Sequence, residues 1–304
     1  MHEYPDRIIP LSIRSYSKKD PRWRRRRAPQ DPASDPRPTP SSLRIVSWNI
    51  DFMQDRAVTR LHAALDHLKS KLHKGADGTK LEPCCVLLQE VALDAFPALL
   101  SHAWVQEHFQ VTPTSPDKGW PRGAGYGVVT LVSRSLQVIQ CQSLEYGCSV
   151  MGRTALMVDV RMKPASADDE EYVTLRVANT HLESLPMGAE ARPVQLSSTA
   201  AKLREVDCGV VCGDMNAIGP SDTDIHADAG LEDAWTKGDD SASGFTWGYQ
   251  PRCQFPAGRL DKVLYTPSEY FKVDEPRKIG VGLKTADGQW ASDHYGLMTT
   301  VRIL

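Results

Sequence analysis

The sequence predicts an α/β fold in which two mixed β-sheets are sandwiched between helices. Two observations carry this. Short apolar, β-branched runs occur both between helices and in direct succession, so neither an all-β chain nor a simple βαβ repeat accommodates them. One long segment, "AVTRLHAALDHLKSKL", repeats Val58, Leu61, Leu65, Leu68 and Leu72 at three- and four-residue spacing, the signature of a helix with one buried face.

Taken in order, "LRIVSW" from Leu43 is a strand, followed by that helix. "CCVLLQEV" is a strand and "LDAFPALLSHAWVQEHF" one helix, with a proline near its first turn. Four strands follow at "GYGVVTLVSR", "LQVIQCQSL", "RTALMVDVRM" and "YVTLRVANTHL". The helix "GAEARPVQLSSTAAKLREV" leads into the strand "CGVVCGDMN", and "GRLDKVLYT" and "YGLMTTVRI" close the chain. No internal repeat is visible, and no linker divides residues 43 to 304, so residues 41 to 304 are expected to form one domain.

Residues 1 to 40 are rich in Pro, Ser, Asp and Arg without hydrophobic periodicity, which predicts a disordered basic tail. Ten Lys/Arg against five Asp/Glu give it +5, leaving 26 basic against 33 acidic residues, or −7, for the rest. The folded part is therefore no general nucleic-acid binder, and contact with nucleic acid must be local. The run "KKDPRWRRRR" reads either as a nuclear-localisation or phosphate-binding arm or as a solvated linker. No apolar run reaches the roughly 18 residues that cross a bilayer, and the N-terminus lacks a signal-peptide core. Seven cysteines in strand-like runs such as "PCCVLL" read as buried, reduced thiols of a nuclear or cytoplasmic protein.

Polar residues gather where strands end. "SWNID" offers Asn49 and Asp51, "LLQEV" Glu90, and "NTHLES" Asn179, His181, Glu183 and Ser184. "VVCGDMNA" offers Asp214 and Asn216, "GRLDK" Asp261, and "SDHYGL" Asp293 and His294. Carboxylates and carboxamides are hard oxygen ligands suited to Mg²⁺, with Mn²⁺ as a substitute, and Glu90 is the natural first ligand. Phosphodiester hydrolysis also needs a group to orient or deprotonate water and donors for charge on the phosphoryl oxygens. Asp214 suits the first task, while Asn49 and Asn216 can donate without repelling phosphate. A histidine held charged by a carboxylate suits the second, and Asp261 with His294 is the obvious couple.

In this order and strand context the six motifs resemble the endonuclease/exonuclease/phosphatase superfamily of Mg²⁺-dependent phosphoesterases, whose fold is a four-layered α/β sandwich. Within it, "WNID", "NTHLES" followed by "AEARPVQL", "FTWG" and "SDHYGL" resemble the tyrosyl-DNA phosphodiesterase branch, which removes protein or tyrosine adducts from DNA 5′ ends. That resemblance implies metal binding by Glu90, with Asp51 and Asp293 among the metal-site carboxylates, and water activation by Asp214. It implies transition-state stabilisation by His294 oriented by Asp261, phosphate contact by His181 and Ser184, and an oxygen cage completed by Asn49 and Asn216. Arg192 of the "AEARPVQL" motif is expected to bind substrate. One departure is plain: Ile218 stands where the branch carries an arginine two residues beyond the asparagine of its GD-x-N motif, removing a guanidinium fork from the DNA-end phosphate. Gly248 and Tyr249 replace expected polar residues.

The loop "GFTWGYQPRCQFPAGR" adds aromatic residues. Trp247 either stacks an unpaired base or plugs the core, Phe255 is expected to plug it, and Arg252 or Arg259 could hold backbone phosphates. The expected activity is hydrolysis of 5′-tyrosyl DNA phosphodiesters by a nuclear repair enzyme, also present in the cytoplasm and monomeric. A phosphodiesterase or phosphatase acting on RNA ends, nucleotides or lipid head groups is the second reading. A catalytically silent scaffold is disfavoured, because Glu90, Asp214, Asn216, Asp261 and His294 are retained together.

Overall fold

A computed structural model describes residues 4–26, 35, 37–74, 80–165, 172–237 and 242–304. These form two mixed sheets and a two-stranded ladder. The seven-stranded sheet runs β1 (Arg7–Pro10), β10 (Val138–Glu145), β11 (Thr154–Met162), β12 (Val173–His181), β13 (Cys208–Asp214), β15 (Asp261–Tyr265) and β14 (Glu232–Asp233). In the nine-stranded sheet the order is β16 (Phe271–Val273), β18 (Gly296–Ile303), β4 (Ser42–Asn49), β7 (Cys84–Ala92), β9 (Tyr126–Ser133), β8 (Phe109–Thr112), β2 (Arg14–Ser17) and β3 (Arg22–Arg25), with β17 (Arg277–Ile279) also on β18. The short ladder joins β5 (His73–Lys74) to β6 (Lys80–Leu81).

Four layers result, as expected. Leu43, Ile45, Leu87, Leu156, Val177 and Val210 fill the space between the sheets. Helices α1 (Ala57–Leu72), α2 (Phe96–Ser101) and α3 (Ala103–His108) cover the outer face of the nine-stranded sheet. Helices α4 (Ala191–Leu203) and α5 (Ile225–Asp228) cover the other sheet. The parallel pairs β4–β7 and β12–β13 follow from chain order, since a parallel neighbour needs a crossover and α1 and α4 provide it. Their carboxyl ends meet, which gathers Asn49, His181 and Asp214 in one place.

Three differences from the sequence reading have physical causes. The segment read as one helix over 93–109 breaks at His102, whose extended backbone (φ −62, ψ 122) separates α2 from α3. Phe109 then starts β8 instead of ending a helix. Val58 is 38% exposed, while Leu61, Ala64, Leu65, Leu68 and Leu72 form the buried apolar stripe of α1. The predicted disordered tail is the largest correction: β1 pairs with β10, β2 with β8, and β3 with β2. Ile13 is buried between them, and Trp23 packs edge-on against Tyr16 while its indole N–H donates to the Leu100 carbonyl at 3.2 Å. Four-residue strands are too short to show periodicity, and their arginines mask the few apolar anchors. Residues 1–3, 27–34 and 36 of that expected tail lie outside the described residues.

Candidate active site

Local backbone geometry presents the functional side chains. Glu90 sits where the β7–β9 register shifts, and its φ of 55° lies in the left-handed region, as do those of Asp51 (54°) and Asn216 (48°). Such conformations cost energy in non-glycine residues and cluster at sites where side-chain aim matters. Gly213 serves close approach: a Cβ there would lie 1.8 Å from the Thr180 carbonyl oxygen of the parallel neighbour. Any other residue would push β13 from β12 and separate Asp214 from His181.

Asn49 is the hub. Its amide nitrogen donates to Glu90 Oε1 and Asp214 Oδ2, both at 3.1 Å, while its oxygen accepts the Asp51 backbone N–H at 3.0 Å. Glu90 Oε2 accepts from the Phe52 backbone at 3.1 Å, and Asp214 Oδ1 from the Asn216 backbone at 2.9 Å. His181 Nε2 lies 3.5 Å from Asp214 Oδ2 and 3.8 Å from Glu90 Oε1. On the other side His294 Nδ1 lies 2.7 Å from Asp261 Oδ2, with its Nε2 3.7 Å from Asp214. Asn216 turns its own amide to the Leu182 carbonyl at 3.0 Å and so fixes the loop after β13.

The two histidines are driven apart in protonation. Burial opposes charge on His294, but Asp261 and Asp214 override it and hold the imidazolium well above the ordinary histidine range. Burial, then the charges of Arg153 and His294, push His181 well below that range. Arg153 Nη1 lies 2.9 Å from His181 Nδ1 and can only donate, so Nδ1 accepts and Nε2 carries the proton. A charged donor and a neutral donor thus flank Asp214, an arrangement that assigns acid–base roles.

Burial raises Asp214 to about 7, helped by Asp261 and Glu90 and opposed by His294. It raises Glu90 against the Asn49 hydrogen bond, and raises Asp51 to about 6 with help from Asp293. Buried carboxylates this short of positive charge fit a divalent cation, which would hold them ionised. Ligand atoms of Glu90, His181 and Asp214 lie within 4.8 Å of one another. Because His181 Nε2 carries its proton, Glu90 and Asp214 are the oxygen donors suited to a hard cation.

Other expected site residues have partners of their own. Asp51 and Asp293 stand outside that three-residue group. The Asp51 carboxylate accepts the Met53 N–H at 2.9 Å and lies 3.5 Å from the buried Arg60, which also donates to the Ile50 and Ala291 carbonyls. Asp293 accepts the Trp247 indole N–H at 2.8 Å. Arg192 is a correction in full: it is buried and forms a two-pronged pair with Asp222, at 2.7 and 2.8 Å, out of reach of substrate. Asp222 in turn accepts the backbone N–H groups of Ile218 and Gly219, so Arg192 braces the loop that follows Asn216. Arg192→Ala, which strands Asp222 in the interior, is expected to cost about 3–5 kcal/mol of stability, read by denaturant unfolding.

The Ser184 hydroxyl accepts an N–H of Arg153 Nη2 at 2.6 Å. Trp247 is half-buried and stacks at 6.5 Å on Phe255, which is 61% exposed instead of plugging the core. Arg259 is buried and paired with Asp233 at 2.5 Å. Trp247→Ala is expected to raise the KM for a single-stranded substrate by the loss of one stacked base, about 1–3 kcal/mol, with kcat little changed.

Sequence reasoning missed Arg153. It joins His181 to Ser184, and its guanidinium lies 5.5 Å from the Tyr126 ring centroid. The arginine in "MGRTAL" opens a strand without any turn or charge pattern around it, so nothing local marked it.

A four-layered sandwich with two buried carboxylates, an Asp–His couple and amide donors at the strand ends defines a phosphoesterase centre. Residues 46–294 match the model of the Endonuclease/Exonuclease/phosphatase family, and the chain belongs to that family. Truncated TDP2, tyrosyl-DNA phosphodiesterase 2, of Caenorhabditis elegans is similar in structure, with a TM-score of 0.64 at 20% identity over 86% of this chain and 97% of that one. D. rerio TDP2 complexed with a single-strand DNA product gives 0.65 at 19% identity, over 86% and 99%. ANGEL2, a 2′,3′-cyclic phosphatase in complex with adenosine-2′,3′-vanadate, gives 0.61 at 15% identity, over 86% and 96%. At these identities the likeness is one of fold. No curated protein matches the sequence. Among the described residues no helix is long and apolar enough to cross a membrane.

Proposed function

We propose that this family member is a Mg²⁺-dependent phosphodiesterase that hydrolyses 5′-tyrosyl DNA adducts. The observation that carries the tyrosyl reading is the small pocket of about 110 Å³ beside the reaction centre, walled by Trp120, Tyr126, Met151, Arg153 and His181. An aromatic wall with a guanidinium over it suits an aryl leaving group. A phenolate, whose conjugate acid has a pKa near 10, departs with less help than an alkoxide, so the site needs no dedicated leaving-group acid.

Asp214, ionised, takes the proton of the attacking water as the oxygen approaches phosphorus. His294, charged and oriented by Asp261, donates Nε2–H to a phosphoryl oxygen as negative charge gathers there. His181 Nε2–H and the Ser184 hydroxyl, both held by Arg153, position the phosphate from the opposite side. Glu90 would hold the cation, which would supply charge neutralisation at phosphate and a more acidic water. Trp247 and Phe255 form the shelf for the adjoining base. Nuclear action on DNA ends by a monomer completes the proposal.

A second reading, hydrolysis at RNA ends, is favoured by one residue: Ile218, 45% exposed where a DNA-end arginine is expected. Turnover of a 5′-tyrosyl oligodeoxynucleotide is compared with that of an RNA ending in a 2′,3′-cyclic phosphate. Preference for the tyrosyl end by an order of magnitude or more in kcat/KM is the expected result. Preference for the cyclic phosphate would overturn the proposal.

A further inference from the structure

Next to the small pocket lies a larger cavity that the catalytic scheme does not use. A cleft of about 600 Å³ opens between the β1–β10 edge of one sheet and the β8–β2–β3 edge of the other. Leu11 and Ser12, on the stretch that crosses from β1 to β2, wall it, as do Trp23 and Trp120. Gly119 and Trp120 line both cavities, so the cleft adjoins the place assigned to the leaving aryl group.

Two buried hydroxyls distinguish this cleft from a packing defect. Thr112 lines it from β8 and Ser143 from β10; both side chains are buried, and neither hydroxyl has a hydrogen-bond partner among the described residues. Alternation aims them at the inter-sheet space: Val111 packs on the helix side, and Cys141 packs between the sheets. Unpartnered buried hydroxyls are rare, and a pair lining one cavity from opposite sheets points to a ligand with both donors and acceptors.

Charge selects among ligands. The lining itself carries Arg14 and Lys118 against Asp117 and Glu145, with no net charge, so it lacks the positive excess that tracks a nucleic-acid backbone. Apolar walls, hydroxyls and balanced charge match a polypeptide. β1 is also the terminal strand of its sheet, with one edge unpaired among the described residues, where an extended segment can add main-chain hydrogen bonds. The residues from Ile9 to Arg14 and Trp23 precede the family match, which starts at residue 46, so this wall belongs to the chain's own N-terminal strands.

We propose that the cleft between the N-terminal strands and the β8 edge binds an extended peptide, the stretch of polypeptide still attached to the leaving tyrosine. This rests on the tyrosyl reading of the reaction centre. Full-length protein is given an oligonucleotide with a bare 5′-phosphotyrosine and one whose tyrosine lies within a capped, uncharged pentapeptide. The peptide adduct is expected to show a KM about tenfold lower. Ser143→Leu, which fills the cleft, and Thr112→Val, which removes one hydroxyl at nearly constant volume, are expected to reduce that advantage. Both should leave bare-tyrosyl turnover intact, which also reports their folding. Equal KM for the two substrates would overturn the peptide site while leaving the tyrosyl reading in place. Turnover of neither adduct would overturn the tyrosyl reading, and titration with the free pentapeptide then decides the cleft: saturable binding lost in Ser143→Leu supports it, and no binding overturns it. Competition by an oligonucleotide that is itself weakened by Ser143→Leu would assign the cleft to nucleic acid and overturn the proposal.

Discussion

Asp214→Asn is expected to lose turnover by a factor on the order of 10² or more while keeping its fold. The carboxylate is buried between His181 and His294 and, raised to about 7, is poised to take a proton near neutral pH. Asparagine has nearly the same shape and still accepts the Asn216 N–H, but cannot take the proton of water. Burying a carboxylate beside Glu90 and Asp261 is costly, so the neutral substitute should leave Tm unchanged or raise it. A variant with wild-type kcat would remove Asp214 from the mechanism. A large drop in Tm would make the loss one of folding.

Asp261→Asn is expected to have an effect of similar size and a distinct pH signature. His294 is charged because Asp261 and Asp214 outweigh burial. The active, charged form exists below the folded pKa, so wild-type activity is lost as pH rises through that raised value. Removing the Asp261 charge lowers it, and the alkaline limb of the kcat profile moves toward acid. The stability linkage has the same sign. A raised folded pKa contributes stability that is fully present below the unfolded value, near 6.5, and is lost as pH rises through the folded one. The variant should therefore lose stability relative to wild type chiefly at acid and neutral pH. An unshifted alkaline limb would show that His294 is not the group held charged for catalysis.

Legibility in the sequence depended on where a residue's chemistry is declared. Asn49, Glu90, Asp214 and His294 each end or precede an apolar run, and strand direction alone brings them together, so motif order sufficed. The layers followed from the two crossover helices for the same reason. Arg60, Arg153 and Arg192 were illegible or misread because a buried arginine's role is set by acceptors far along the chain: the Ala291 carbonyl for Arg60, the Ser184 hydroxyl for Arg153, the Asp222 carboxylate for Arg192. The strands from Arg7 to Arg25 escaped because pairing with β10 and β8 stabilises them, and composition records no partner. Asp51 and Asp293 offered the right chemistry at strand ends, and one oxygen of each is held by a neighbouring donor, the Met53 N–H and the Trp247 indole.

The most direct test of the account is release of tyrosine from a single-stranded oligonucleotide bearing a 5′-phosphotyrosyl group, measured with Mg²⁺ and with EDTA for the wild type and for Glu90→Gln. Rapid release that requires Mg²⁺ and falls by a factor on the order of 10² or more in Glu90→Gln is the predicted result. Release that continues in EDTA, or that Glu90→Gln leaves intact, would contradict it.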